Sequence, residues 1–238
     1  MTTRPEDLIE REAILHVRAN VKEIIKRVVG SAEPSKRSPL SLFMAGSPGA
    51  GKTEFSTRII PLFEEGLGEK IVRIDPDDLR AIMPGYQGNN SHIFQPATSI
   101  GVEKVHDYVI KHNINFLLDG TFSNTAKAHA NIQRSINHNR IVMVFYVFLE
   151  PKVAWDFTLK REALEGRRIS KEVFVNHLFN SYKTVDFLKE AFGNKITLYL
   201  IDKKSITNAN DFTLTEVNAK ISDHQTINHD KKSLLNTL

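Results

Sequence analysis

The chain contains no cysteine. That absence removes disulfide frameworks, Cys-ligated zinc, iron–sulfur clusters and thiol nucleophiles, and it fits a reducing compartment. Long hydrophobic runs are also missing. The longest, Ile141–Leu149, has nine residues, where about 20 are needed to cross a bilayer. The opening residues, MTTRPEDLIERE, are acidic where a secretory signal would be basic and then apolar. A cytoplasmic location and no membrane partner are therefore expected. Charge of one sign is scarce too: 32 Lys+Arg stand against 28 Asp+Glu, a balance of +4. So small an excess does not argue for nucleic acid, and no basic–aromatic alternation marks a single-strand track. No nucleic-acid partner is expected. The nine His show no H-E-x-x-H and no short ligand pair on one helix face, so most read as surface residues. No internal repeat or low-complexity block is visible.

What remains is ordinary for a globular chain: 238 residues, 41% hydrophobic and 25% charged. Residues 5–29 carry an apolar stripe at steps of three, four and seven through Leu8, Ile14, Val17, Val21, Ile24, Ile25 and Val28. This predicts one helix, opened by Pro5 and acids and closed at Gly30. Ser31–Pro39 reads as a linker. Five short apolar runs follow, at 40–45, 71–74, 115–118, 141–149 and 196–201. Helix-length segments near 52–65, 97–112, 125–138, 152–165 and 171–191 separate them. Such alternation predicts an α/β fold with a five-stranded, mostly parallel sheet and helices on both faces. The domain reading is an N-terminal helix and linker (1–38), an α/β domain (39–202) and a polar tail (203–238). One weak helix is expected in the tail near 211–222, with disorder in the last dozen residues.

The strongest local signal is Gly46-Ser47-Pro48-Gly49-Ala50-Gly51-Lys52-Thr53, a full match to G-x-x-x-x-G-K-[ST]. It follows a strand and opens a helix, as its mechanism requires. Glycines let backbone N–H groups wrap a phosphate chain, and the helix start adds its positive dipole end. Lys52 would reach the β- and γ-phosphates of ATP, and the Thr53 hydroxyl would ligate Mg²⁺. A GTP switch would need Asn-Lys-x-Asp, and Asn194-Lys195-Ile196-Thr197 lacks the acid. A small-substrate kinase fits better than a switch or a motor.

In open α/β sheets ligands bind beyond the carboxyl ends of the strands. The second strand ends in Asp75-Pro76-Asp77-Asp78-Leu79-Arg80 and the third in Asp119-Gly120-Thr121-Phe122. Phosphoryl transfer to a hydroxyl needs a carboxylate to accept the proton, and one of Asp75, Asp77 and Asp78 can do this. The others would cap a helix. Asp119 would hold Mg²⁺ through water or bind a substrate hydroxyl. Beyond the fourth strand, residues 152–171 carry six basic and three acidic residues. Gly166 should break that helix and Ser170 cap the next, so the arginines around the break could close on triphosphate. The polar loop 86–96 could line a substrate pocket, with His92 near substrate and Tyr86 and Phe94 as stacking candidates. Trp155 reads as core.

GSPGAGKT (46–53), IDPDDLR (74–80), LLDGTF (117–122) and KREALEGRRISKEVF (160–174) together make the chain similar to the zeta toxin family of toxin–antitoxin systems over about residues 38–202. The resemblance implies an ATP-dependent kinase that phosphorylates the 3-hydroxyl of the sugar of UDP-N-acetylglucosamine or a related UDP-sugar, blocking cell-wall precursor synthesis. It implies Asp77 as catalytic base, with Lys52, Arg161 and Arg168 at the triphosphate, Arg167 competing with Arg168. It implies Glu103, Asp119 and Thr121 as substrate-binding residues, and a small helical antitoxin that blocks the nucleotide site. The chain departs from the family in having Asp119 where Glu is commoner, and Ser123 where many members have Arg. The alternatives are a kinase of NAD, of a nucleic-acid end or of an antibiotic hydroxyl, and a catalytically silent nucleotide-binding module.

Overall fold

A computed structural model describes residues 4–166, 169–203, 212–225 and 227–238. The elements, in chain order, are α1 (Pro5–Ala19), α2 (Val21–Val29), β1 (Leu40–Ala45), α3 (Lys52–Leu67), β2 (Val72–Ile74), α4 (Pro76–Ala81), α5 (Ser91–Lys111), β3 (Phe116–Leu118) and α6 (Thr125–Asn137). Next come β4 (Ile141–Phe148), α7 (Pro151–Glu165), α8 (Lys171–Phe192), β5 (Thr197–Lys203), β6 (Phe212–Val217) and α9 (Lys231–Thr237).

The strands form one sheet in the order β2-β3-β1-β4-β5-β6. All pairs are parallel except β5 with β6. Every residue of β1 is buried, as expected of a central strand covered by helices on both faces. One face packs Phe43, Ala45, Phe116, Val144 and Tyr146 against α5 and its neighbours. The other packs Leu42, Met44, Leu117 and Phe145 against Phe55, Trp155 and Phe174. Trp155 is core, edge-on to Phe174 at 5.2 Å. From β1 the chain builds β2 and β3 on one side, then crosses over to β4 on the other. The crevice at the carboxyl end of β1 is therefore the switch point where such sheets bind ligands.

Several expectations are corrected. The sheet has six strands, because residues 212–217 pair antiparallel with β5 instead of forming a helix. The segment alternates apolar and polar residues, with Val217 buried and Leu214 exposed, and covers what would otherwise be an open sheet edge. The chain's last residues are ordered: α9 is capped by Asp230 and buries Leu234. The single N-terminal helix is two. At Asn20 the side-chain amide donates to the His16 carbonyl at 2.8 Å, a local bond that competes with helix continuation. The break leaves Leu8 exposed while Ala13, Val17 and Ile24 join the main core. Helix α5 begins at Ser91, six residues early, with Pro96 inside it. Burial of Ile93 and Phe94 draws that turn onto the core despite the proline.

Candidate active site

The crevice is built from the first glycine outward. Gly46, Gly49 and Gly51 all have positive φ, where a side chain is strained. Space forbids one as well. A Cβ on Gly46 would lie 2.4 Å from the Val147 carbonyl oxygen of β4, and one on Gly49 would lie 2.0 Å from that of Ala154 on α7. The loop thus rests on β4 and α7. Inside it, the Lys52 ammonium donates to the carbonyls of Gly46 at 3.2 Å and Ser47 at 2.6 Å. Ser47 and Ala50 are buried. Pro48 sits at the outer bend, and Thr53 follows Lys52 in the first turn of α3. This cradle fits a nucleotide phosphate chain: a positive helix start, a lysine and glycines that keep side chains out. Among the described residues no group of three or more His, Asp or Glu converges as a metal site. A Mg²⁺ at Thr53 would then take its other ligands from phosphate and water, as this ion often does.

The exits of β2 and β3 close against the cradle. The Gly46 N–H donates to the Thr121 carbonyl at 3.2 Å. The Thr121 hydroxyl lies 2.9 Å from that of Ser123. Asp119 is buried and accepts from the Ser56 hydroxyl at 3.3 Å, one turn along α3 from Thr53. Arg73 of β2 binds both strand ends: its Nη2 donates to Asp75 and, at 3.0 Å, to Asp119, while Nη1 reaches Asp78 at 3.1 Å. Asp75 also caps α4, accepting from the Asp77 N–H at 2.8 Å. Burial, and then the neighbouring Asp119 carboxylate, push the Asp75 pKa up to about 6 against the pull of Arg73.

Asp77 faces elsewhere. One carboxylate oxygen accepts from Arg80 Nη1 at 2.7 Å, and the other lies 3.7 Å from Arg161 Nη2 of α7. The fold therefore brings together Asp77 and Arg161, from segments 84 positions apart in the chain. A pKa near neutrality is what a general base needs, and by that criterion Asp75 would rank above its neighbours. Geometry argues otherwise. Both Asp75 oxygens are engaged, and its side chain is only 10% exposed; the Asp77 side chain is 34% exposed.

Helix α7 ends where expected. Gly166 adopts φ 72 and its N–H caps Glu162 at 2.8 Å. Ser170 caps α8, accepting from Val173. Arg167 and Arg168 lie outside the described residues. Glu103 of α5 stands apart from the strand-end carboxylates. It pairs at 2.8 Å with Arg134 of α6, which also binds Asp107 at 2.5 Å and the His106 ring. His106 is itself buried, and burial followed by Arg134 and Arg140 drive its pKa down to about 3. One substrate-contact expectation is overturned. Phe94 is fully buried, edge-on to Tyr86 at 5.7 Å, so it has no face for a base. His92 lies on the surface, 3.7 Å from Glu6 of α1.

Three positions were not singled out from sequence. Arg73 sits inside a strand and Arg80 within a short helix. Lys203 ends β5, and its ammonium comes within 2.2 Å of where a Gly51 Cβ would be, with Glu54 Oε2 3.4 Å from the same point. A lysine at a strand's carboxyl end is the signal that could have found it.

A parallel sheet in this order, with a phosphate cradle at its switch point and a basic helix beside it, defines a P-loop kinase-like fold. The zeta toxin family matches residues 26–212, most of the chain, and the chain belongs to that family. A solved structure of the PezAT chromosomal toxin–antitoxin system of Streptococcus pneumoniae is similar over 100% of this chain and 94% of its own, at 15% identity and TM-score 0.65. The AvrRxo1-ORF1:-ORF2 complex solved with ATP is similar over 90% of this chain and 67% of its own, at 13% identity and TM-score 0.57. These identities carry the fold alone. No curated protein sequence matches the chain. Among the described residues no helix is long and apolar enough to cross a membrane.

Proposed function

We propose that this protein is a toxin of a toxin–antitoxin pair that transfers the γ-phosphoryl group of ATP to a hydroxyl of a sugar nucleotide, with UDP-N-acetylglucosamine or a related UDP-sugar as acceptor. The observation that carries the reading is the meeting of Asp77 with Arg161 of α7, the helix against which Gly49 of the phosphate cradle rests. The loop N–H groups and Lys52 bind the phosphate chain; the Thr53 hydroxyl would hold Mg²⁺, which would offset the phosphate charge. Oxygen Oδ2 of Asp77 takes the proton from the acceptor hydroxyl. A bond forms from the acceptor's hydroxyl oxygen to the γ-phosphorus, the bond from the γ-phosphorus to the bridging oxygen breaks, and ADP leaves. Arg161, with Arg168 or Arg167, offsets charge spreading over the transferring group. Asp119, Thr121 and Glu103 hold the acceptor. Glu103 would have to share its carboxylate with Arg134 or release it. The antitoxin, a small helical protein, would cover the nucleotide crevice, and the protein would work in the cytoplasm.

The test is incubation of the purified protein with ATP, Mg²⁺ and a panel of UDP-sugars, NAD and a 5′-hydroxyl oligonucleotide, followed by mass spectrometry. A gain of one phosphate on a UDP-sugar supports the reading. A gain on NAD or the oligonucleotide alone moves the acceptor to that class, and ATP binding with no transfer to any acceptor contradicts a kinase. Induced expression in bacteria, compared with Asp77→Ala, tests toxicity separately.

A further inference from the structure

Arg80 is 2% exposed and is among the largest fully buried side chains of the described residues. A guanidinium has five N–H donors and cannot shed its charge, and removing it from water is costly unless it is paired and fully hydrogen-bonded. Arg80 is only partly so. Nη1 donates to Asp77 Oδ1 at 2.7 Å and Nη2 to Gln95 Oε1 of α5 at 2.8 Å, while its buried Nε finds no acceptor among the described residues. An apolar side chain of similar volume would fill that space without the penalty, so packing alone gives no reason for an arginine here.

The geometry does give one. Asp77 and Arg80 lie three residues apart on one face of α4. That helix is only six residues long and too short to be stable alone. It is fixed at its start by the Asp75 cap and against α5 by the buried Leu79, within ordinary contact of where a Gly101 Cβ would be. Gln95 is held in turn, its amide donating to Ser99 at 3.3 Å. The chain Ser99–Gln95–Arg80–Asp77 therefore runs from the long helix α5 to one oxygen of the carboxylate. It ties Oδ1 and leaves Oδ2 turned to Arg161.

We propose that Arg80, locked by Gln95, is a positioning residue that aims Oδ2 of Asp77 at the acceptor hydroxyl. The inference rests on the phosphotransferase reading above. Arg80 touches neither substrate nor nucleotide. It acts by holding Asp77 in one rotamer and by keeping Oδ1 from competing for the proton.

The test is steady-state kinetics of wild type, Arg80→Lys and Gln95→Leu, with ATP and the acceptor the panel identifies, alongside thermal melting and ATP binding. Gln95→Leu keeps the Arg80 charge and removes only the lock. The expected result is a kcat lowered about 10- to 100-fold in both variants, the usual loss when an outer-shell partner is removed. KM for ATP should stay within about twofold, and Gln95→Leu should melt below wild type yet be folded at the assay temperature, because it leaves a buried Arg80 donor without its acceptor. Gln95→Glu, which restores an acceptor for Nη2, should recover most of kcat. Should Arg80→Lys fail to fold, Gln95→Leu decides. Wild-type kcat in a folded Gln95→Leu, or a raised KM for ATP with kcat intact, overturns the positioning role while the kinase reading stands. Wild-type protein that transfers phosphate to none of the acceptors overturns both.

Discussion

Two arginine–carboxylate clusters flank Pro76 and differ in how deeply they are buried. In the first, Arg73 ties Asp75, Asp78 and Asp119 together at the ends of β2 and β3. In the second, Arg80 of α4 and Arg161 of α7 meet the two oxygens of Asp77. In the first, Asp75 and Asp119 are buried; both Asp75 oxygens and Oδ2 of Asp119 accept from arginine, hydroxyl or backbone donors. The second is more open to solvent, the Asp77 side chain being 34% exposed and that of Arg161 44%. Two acids two positions apart are thus held differently. Asp75, 10% exposed, holds the strand ends and the start of α4, whereas Asp77 meets α7. Charge alone does not distinguish them, whereas exposure does.

The largest way to break this contrast is Asp77→Ala. A positioned base contributes roughly 10²–10⁴-fold, so kcat should fall by about that factor while ATP affinity, measured by calorimetry, changes little. Next comes Arg161→Ala, expected to lower kcat by about 10²-fold, as when one donor to developing charge is removed. Asp75→Ala should act on stability. Losing the side-chain cap of α4 costs about 1 kcal/mol, read as a lowered unfolding midpoint in denaturant. If Asp75→Ala melts like wild type, the buried cluster is not structural.

Acid sharpens the same contrast, because two buried groups titrate with opposite signs. His106 is depressed from 6.5 to about 3. Its stabilising contribution is complete above pH 6.5 and lost as pH falls toward 3. Asp75 is raised from 3.8 to about 6. Its contribution is complete below 3.8 and lost as pH rises through 6. Across most of that range the two slopes oppose and largely cancel, so wild type should change little between about pH 4 and 6. Thermal melts across that window should show His106→Asn gaining stability toward acid relative to wild type, and Asp75→Asn losing it. The smallest effect is expected beside Gly51 of the cradle: Lys203→Ala should raise KM for ATP about fivefold, roughly 1 kcal/mol.

How much of this was legible follows from what each signal depends on. Five strands could be read because each is a short apolar run, and the cradle because its spacing is local. Residues 212–217 could not, since their pattern is polar and their strand state depends on β5 offering an edge. The break at Asn20 turned on one side-chain bond inside a good apolar stripe. At the site, Asp77 and Arg161 were named separately, but nothing local says they meet. Arg73 looked like a solvated strand residue, yet it lies between two buried carboxylates brought together only by the pairing of β2 with β3. Phe94 looked available in a polar loop because the proline after it hid the helix. The basic excess of residues 152–171 located the lid helix, of which Arg161 is the member seen beside Asp77.

The central claim is that Asp77, and not Asp75, takes the acceptor's proton. Single-turnover transfer of the γ-phosphoryl group from labelled ATP, to the hydroxyl compound that wild type accepts, tests it most directly. Asp77→Asn and Asp75→Asn are compared at saturating ATP and at a temperature where both are folded. The account predicts that Asp77→Asn loses transfer while Asp75→Asn keeps most of it; an active Asp77→Asn beside an inactive Asp75→Asn would contradict it.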